Sequence, residues 1–90
     1  MELSTGHVFA EISPPRRIVG QSLRTLNLRA THGLNVIAIL QHVPMVDEEG
    51  ERAYGKRVLE PPDPDYLIAE TDTLAVIAMP ERLRSFLVSS

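Results

Sequence analysis

Two runs constrain this chain more than anything else in it: "VIAIL" at Val36–Leu40 and "LAVIAM" at Leu74–Met79. Both are apolar at successive positions rather than alternate ones, and Val36, Ile37 and Ile39 are β-branched. That is how a strand covered on both faces reads. Neither run approaches the roughly 20 residues that a membrane helix needs. Other elements must therefore wrap around these strands, and 90 residues supply one domain's worth of chain to do so, residues 1–90 as a single unit. A domain of this size buries only about 60–65% of the surface its unfolded form exposes. There is no cysteine to add a disulfide or a thiolate metal site. A second subunit is the commonest remaining source of buried area.

The remaining elements follow from local pattern. "HVFAEI" alternates, with Val8, Ala10 and Ile12 on one face and His7, Phe9 and Glu11 on the other, which predicts a strand that "SPP" then stops. "IVGQSLRTLNL" predicts a short helix with Ser22 as N-cap, Leu23 and Leu26 on one face and Gly20 at a tight entry. One further helical turn after Leu28 ends at Gly33, where a left-handed cap needs a residue without a side chain. "LNVIAILQ" is then a central strand.

From His42 to Pro62 the chain reads as an elaborated hairpin or loop, turning at "DEEGE" and returning through "GKRVLE". "PPDPD" is a rigid, extended connector. "DTLAVIAM" gives another strand. "PERLRSFLVSS" closes as a helix, with Pro80 in its first position, Glu81 at the positive end of the dipole and an apolar face of Leu83, Phe86 and Leu87. The order predicts an α+β fold: a small, mainly antiparallel sheet, a short helix after the first strand and a C-terminal helix.

Charge and motif content exclude several functions. The formal net charge is −3, and acid concentrates in Asp47–Glu51. The first third carries Arg16, Arg17, Arg24 and Arg29 against Glu2 and Glu11. That balance lacks the broad basic face of a nucleic-acid binder but permits a local site for a small anion. Without tryptophan and with few other aromatics, a base-stacking platform is not expected either.

No cysteine nucleophile or Gly-x-Ser-x-Gly elbow is present, and Ser22 is far in sequence from any base, so no catalytic residue is assigned and the chain is not read as an enzyme. His7, His32 and His42 share no metal-ligand spacing, and "DEEGE" lacks the alternation of a calcium loop; no metal is expected. There is no glycine loop for a dinucleotide, hence no resident cofactor. The opening "MELSTGHVFA" does not read as a signal peptide. The expectation is a cytosolic domain with no membrane insertion of its own, able to hang from a membrane protein.

"LRATHGLN" gathers Arg29, His32 and Asn35 around Gly33 at the mouth of the central strand. One reading is a polar turn: Arg29 caps a helix end or pairs with an acid, Asn35 satisfies backbone groups, and His32 lies on the surface. The other is a ligand rim.

The ordered set Val19, Gly20, Ser22, Leu23, Leu26, Leu28, Arg29, then Gly33, Asn35, Val36, Ile39, then Asp72, Leu74, Leu83 and Phe86 resembles the C-terminal lobe of an RCK domain, the TrkA-C domain. The likeness covers nearly the whole chain except about residues 41–60, an acidic loop longer than the family usually has. Thr71 and Ala78 stand where glycines are frequent.

The resemblance implies a regulatory, homodimerising domain of a potassium or other cation channel, transporter or antiporter, on the same chain or a separate subunit. In a subset of such lobes the dimer cleft binds cyclic di-AMP. Carried over to this sequence, the site residues are Leu28, Arg29, Gly33 and Asn35, with Pro62 ahead of the last strand. The alternative is a structural dimerisation lobe of a gating subunit with no nucleotide ligand.

Overall fold

A computed structural model of the chain describes residues 1–88. Its elements are β1 (Val8–Ile12), a 3₁₀ turn at Arg16–Ile18, α1 (Leu23–Leu26), α2 (Leu28–His32), β2 (Asn35–Val46), β3 (Arg52–Leu59), β4 (Thr73–Ala78) and α3 (Pro80–Val88). The strands form one sheet in the order β1-β4-β2-β3, and every neighbouring pair is antiparallel. This is the α+β fold that the element order predicts. The last two residues of the predicted closing helix, Ser89 and Ser90, lie outside the described residues.

Register explains the core. Leu74 pairs with Ile12 on one side and Ile39 on the other, and Val76 pairs with Ala10 and Val36. Successive side chains of a strand point to opposite faces, so Leu74, Val76 and Ala78 project to the side that the helices cover. All three are completely buried, together with Ile39 and Phe86. Leu28, Leu34, Ile68 and Ile18 close the same cluster from the turn, the connector and α2. The expected two-sided burial holds for part of the central strand only, because Val36, Ile37, Ala38 and Leu40 are half-buried. A register shift between Val36 and Ala38 leaves Ile37 as the extra residue of a bulge.

The local chemistry of the helical turns is as predicted. Ser22 has extended backbone and its hydroxyl accepts from the Thr25 amide at 3.1 Å. Gly20 and Gly33 both take positive φ, +87° and +70°. The helix is broken into two by Asn27, whose φ of 47° is left-handed, a conformation that asparagine tolerates better than most residues. In α3 the apolar face is narrower than predicted: Leu83 and Phe86 pack inward, while Leu87 is exposed.

Two expectations are refined. Of hairpin or loop, the hairpin holds: β2 continues to Val46 and β3 begins at Arg52, so the paired strand is longer than the return through "GKRVLE" alone. A proline within a strand cannot donate to the ladder. Beyond Leu40, however, β2 has β3 on one side only, the edge setting in which a strand proline is tolerated. The turn forms as read, with the Asp47 carboxylate accepting from the Glu49 and Glu51 amides at 2.9 and 2.8 Å.

The connector, in turn, is not simply extended. It folds over at Asp63–Tyr66, where the Tyr66 amide donates to the Asp63 carbonyl. It is fastened to the α1 entry by Gly20 N–H to the Ile68 carbonyl at 2.7 Å and by Arg24 N–H to the Pro64 carbonyl at 2.9 Å. Arg24 also meets Asp65 at 2.7 Å, which holds that carboxyl below the usual carboxylate range, first through the hydrogen bond and then through the charge. The pair is exposed, so it adds little to stability. What it adds is present above the ordinary aspartate pKa and is lost on acidification.

Candidate functional site

The end of α2 and the start of β2 make a corner. Gly33 lets the chain reverse there, and Leu34 drops its side chain into the core, 1% exposed. Arg29 and Asn35, on either side of the corner, are left at the surface. Two adjoining hollows open at this corner, and both residues line both of them. The smaller, about 150 Å³, is floored by Leu23, Leu28 and Leu34. The larger, about 380 Å³, is completed by Gly33, His7, Thr5 and Ile77.

Of the residues expected to form a site, Arg29, Gly33 and Asn35 come together here, and Leu28 lies beneath them. Leu28 is only 3% exposed and belongs to the core, so it contributes a floor rather than a face. Pro62 lines neither hollow; it is half-buried in the connector. His32, expected at the surface, is half-buried, with its ring edge-on to Phe86 at 5.1 Å and Nδ1 2.8 Å from the Thr31 hydroxyl. It belongs to the packing between α2 and α3.

Three residues were not legible as site residues. His7 and Thr5 are paired at 2.8 Å between Nδ1 and Oγ1, which fixes the imidazole against the hollow's far wall. The signal lies in the register. Ile77 pairs with Asn35 on one side and Phe9 on the other, which carries the residues just before β1 to the mouth of β2. Arg82, from the first turn of α3, crosses Gly33, its side-chain atoms 3.5 Å from where a Cβ would stand. No spacing in the sequence could give either approach.

Among the described residues, neither the Arg29 guanidinium nor the Asn35 amide has a hydrogen-bond or ionic partner. What the corner offers is a guanidinium fork, an amide able to donate and accept, an imidazole held by a hydroxyl, and a second arginine nearby. That combination suits a phosphate beside a nucleobase edge. Among the described residues no cluster of histidine and carboxylate could hold a metal ion, and no helix is long and apolar enough to cross a membrane.

Gly33 tests how tightly the corner is built. Alanine there keeps ordinary contact with Arg82 but must adopt a positive φ. Gly33→Ala is therefore expected to cost about 1 kcal/mol in urea denaturation. A neutral result would mean that the corner relaxes out of the left-handed region.

Comparison with known proteins is specific at this point. The sequence model of the TrkA-C domain family matches residues 7–88. The RCK C domain of the potassium transport protein KtrA, solved in complex with cyclic di-AMP, superposes with a TM-score of 0.70 at 26% identity, covering 92% of this chain and 82% of that one. The GsuK channel bound to NAD shares the fold, with a TM-score of 0.63 at 24% identity over 92% of this chain. The GsuK RCK domain does so with a TM-score of 0.61 at 22% identity over 90%. This chain spans only 13% and 15% of those two GsuK chains. No curated protein matches the chain.

Proposed function

The chain belongs to the TrkA-C domain family, and on that premise we propose that it is a non-enzymatic, cytosolic regulatory lobe of a potassium or other cation transport system that senses cyclic di-AMP in a cleft between two subunits. The observation that carries the reading is that Arg29 and Asn35 line one hollow, both side chains without a partner among the described residues. An arginine fork takes a phosphate by two charge-assisted bonds, and an asparagine amide takes an adenine edge by a donor and an acceptor. Cyclic di-AMP presents each of these twice, related by a two-fold axis. A symmetric dimer meets it with the same residues from each half.

Support comes also from the KtrA RCK C domain, which was solved with cyclic di-AMP bound. The larger hollow, about 380 Å³, is of the size of a small-ligand pocket, roughly 300–1,000 Å³. In this reading His7 and Thr5 border the phosphate side, Leu28 floors the base, and Pro62 approaches from the connector of either subunit. Transport is affected only if the ligand prefers one dimer arrangement over another, since equal affinity for both shifts nothing. The partner is a membrane channel, transporter or antiporter, on the same chain or on a separate subunit.

Isothermal titration with cyclic di-AMP is the test, with cyclic di-GMP and ATP as controls. The expected result is saturation near one ligand per two chains with silent controls. Removing a charge-assisted phosphate contact is worth about 2 kcal/mol, so Arg29→Ala should weaken binding about thirtyfold. Combining it with Asn35→Ala should abolish binding at an unchanged oligomeric mass. No heat at high ligand concentration would remove the sensor and leave a dimerisation lobe in which the corner is unliganded.

A further inference from the structure

Of the side chains that line the larger hollow, only His7 can change its charge near neutral pH. Its Nδ1 lies 2.8 Å from the Thr5 hydroxyl, and the same oxygen accepts from the His7 backbone N–H at 3.4 Å. A hydroxyl that accepts from that amide turns its own proton toward Nδ1. The neutral ring then carries its hydrogen on Nε2, which has no partner among the described residues. When the ring is charged, Nδ1–H donates to Thr5 and Nε2–H stays in place. In both states a ring held by Thr5 offers one N–H. Only the charge differs.

The surrounding elements decide what that charge meets. From α2, Arg29 lines the same hollow, and from the first turn of α3, Arg82 crosses Gly33. β2 and β4 contribute Asn35 and Ile77, neither of them charged. On the N-terminal stretch the Met1 amine donates to the Phe9 carbonyl at 3.2 Å, and Glu2, bridged to Val8, is exposed. Glu81, beside Arg82, is exposed as well. Among the described residues no carboxylate lines the hollow. A bound phosphate is the anion that an imidazolium there would meet.

We propose that His7 is a further phosphate contact of this site and takes up a proton when the ligand binds, so that the lobe holds the nucleotide more tightly in acid. The proposal rests on the cyclic di-AMP reading. A phosphodiester stays negative across the whole range in which imidazole titrates. Its hydrogen bond from an imidazolium is charged on both sides, and stronger than the one from a neutral ring. The ligand therefore favours the protonated ring, and by linkage acid favours the ligand to the same degree. The gain is present below the imidazole range and is lost above it. Arg29 and Arg82 keep their charge throughout and supply no such dependence.

Isothermal titration with cyclic di-AMP at pH 6 and pH 8 is the experiment. With one ligand per two chains, two histidines take part. If each ordinary imidazole, near 6.5, rises by about one pH unit on binding, the wild-type Kd should be about thirtyfold tighter at pH 6. His7→Gln keeps an N–H donor but cannot titrate. It should bind about as wild type does at pH 8 and change less than about threefold between the two conditions, with circular dichroism as the check on folding. NMR of the wild-type imidazoles needs no variant. The His7 titration midpoint should move up by about one pH unit in saturating ligand. That of His42, seven residues along β2 from Asn35 and about 23 Å away, should stay.

Binding of equal strength at both pH values, with the His7 midpoint unmoved, would overturn the proposal and leave the nucleotide sensor standing. So would a His7→Gln variant that keeps the wild-type pH dependence, which would pass the proton to another group such as the Met1 amine. No heat at either pH would remove the sensor itself, and this proposal with it.

Discussion

Phe86→Ala is expected to leave most of the chain unfolded at 37 °C. Phe86 is completely buried and belongs to the core cluster with Leu28, Leu34 and Leu74. Truncating such a phenylalanine removes its transfer free energy and leaves a cavity, together about 3–5 kcal/mol. Two further contacts go with the ring. The Arg17 guanidinium lies 4.7 Å from its centroid, and His32 meets it edge-on. Through them the one side chain ties the 3₁₀ turn and α2 to α3.

Domains have total stabilities of about 5–15 kcal/mol, and a 90-residue chain without disulfides belongs toward the lower end. The loss is therefore comparable with the whole. Urea denaturation followed by circular dichroism should show an early or absent transition for Phe86→Ala. Phe86→Leu, which retains most of the apolar volume, should cost roughly 1.5 kcal/mol or somewhat more. Leu87→Ala, one residue along but exposed, should be nearly silent. Equal effects at 86 and 87 would contradict the orientation of α3.

The contrast between Phe86 and Leu87 also shows where sequence patterning stops. Period 3.6 places Leu83, Phe86 and Leu87 on one side of a helix, but the width of the buried stripe depends on what lies opposite. Here Phe86 is completely buried and Leu87 is exposed. The strands were legible for the complementary reason. Ile39, Leu74 and Val76 sit in unbroken β-branched or leucine-rich runs, and only an interior strand satisfies those. Capping chemistry is local, so Ser22, Gly20 and Gly33 were legible too.

The hairpin was legible in its turn and its return strand but not in its full length, because Pro44 and a scatter of polar residues hide the period of two until β3 is seen beside β2. The site divides along the same line. Arg29, Gly33 and Asn35 are near neighbours in sequence and could be read together. His7, Thr5 and Arg82 arrive through sheet register and the path of α3, neither of which any short stretch encodes.

The second large effect is expected at Asp72, which is 4% exposed. Its carboxylate accepts from the Tyr66 hydroxyl at 2.7 Å and from the Ala69 amide at 2.8 Å. This is the bond pair that fixes the connector onto the start of β4. Asp72→Ala removes two bonds to a charged acceptor and leaves both donors without a partner, at an expected cost of about 3 kcal/mol. Tyr66→Phe removes one bond and should cost about 1.5 kcal/mol. The double substitution should cost clearly less than the sum, since the hydroxyl can be orphaned only once.

Alkaline titration offers a second readout. Burial of the Tyr66 phenol, and then its bond to Asp72, raises its pKa above 10.0. A raised pKa means that the fold favours the neutral phenol. The contribution to stability is therefore full below the ordinary tyrosine value and is lost as pH rises through the folded one. Wild-type stability should fall on the alkaline side of about pH 10, and that limb should flatten in Tyr66→Phe. If Tyr66→Phe and Asp72→Ala were instead additive, with the alkaline limb unchanged, the hydroxyl would not be bonded to that carboxylate in solution. The connector would then be held chiefly by its backbone bonds to Gly20, Gln21 and Arg24 and by the Arg24–Asp65 pair.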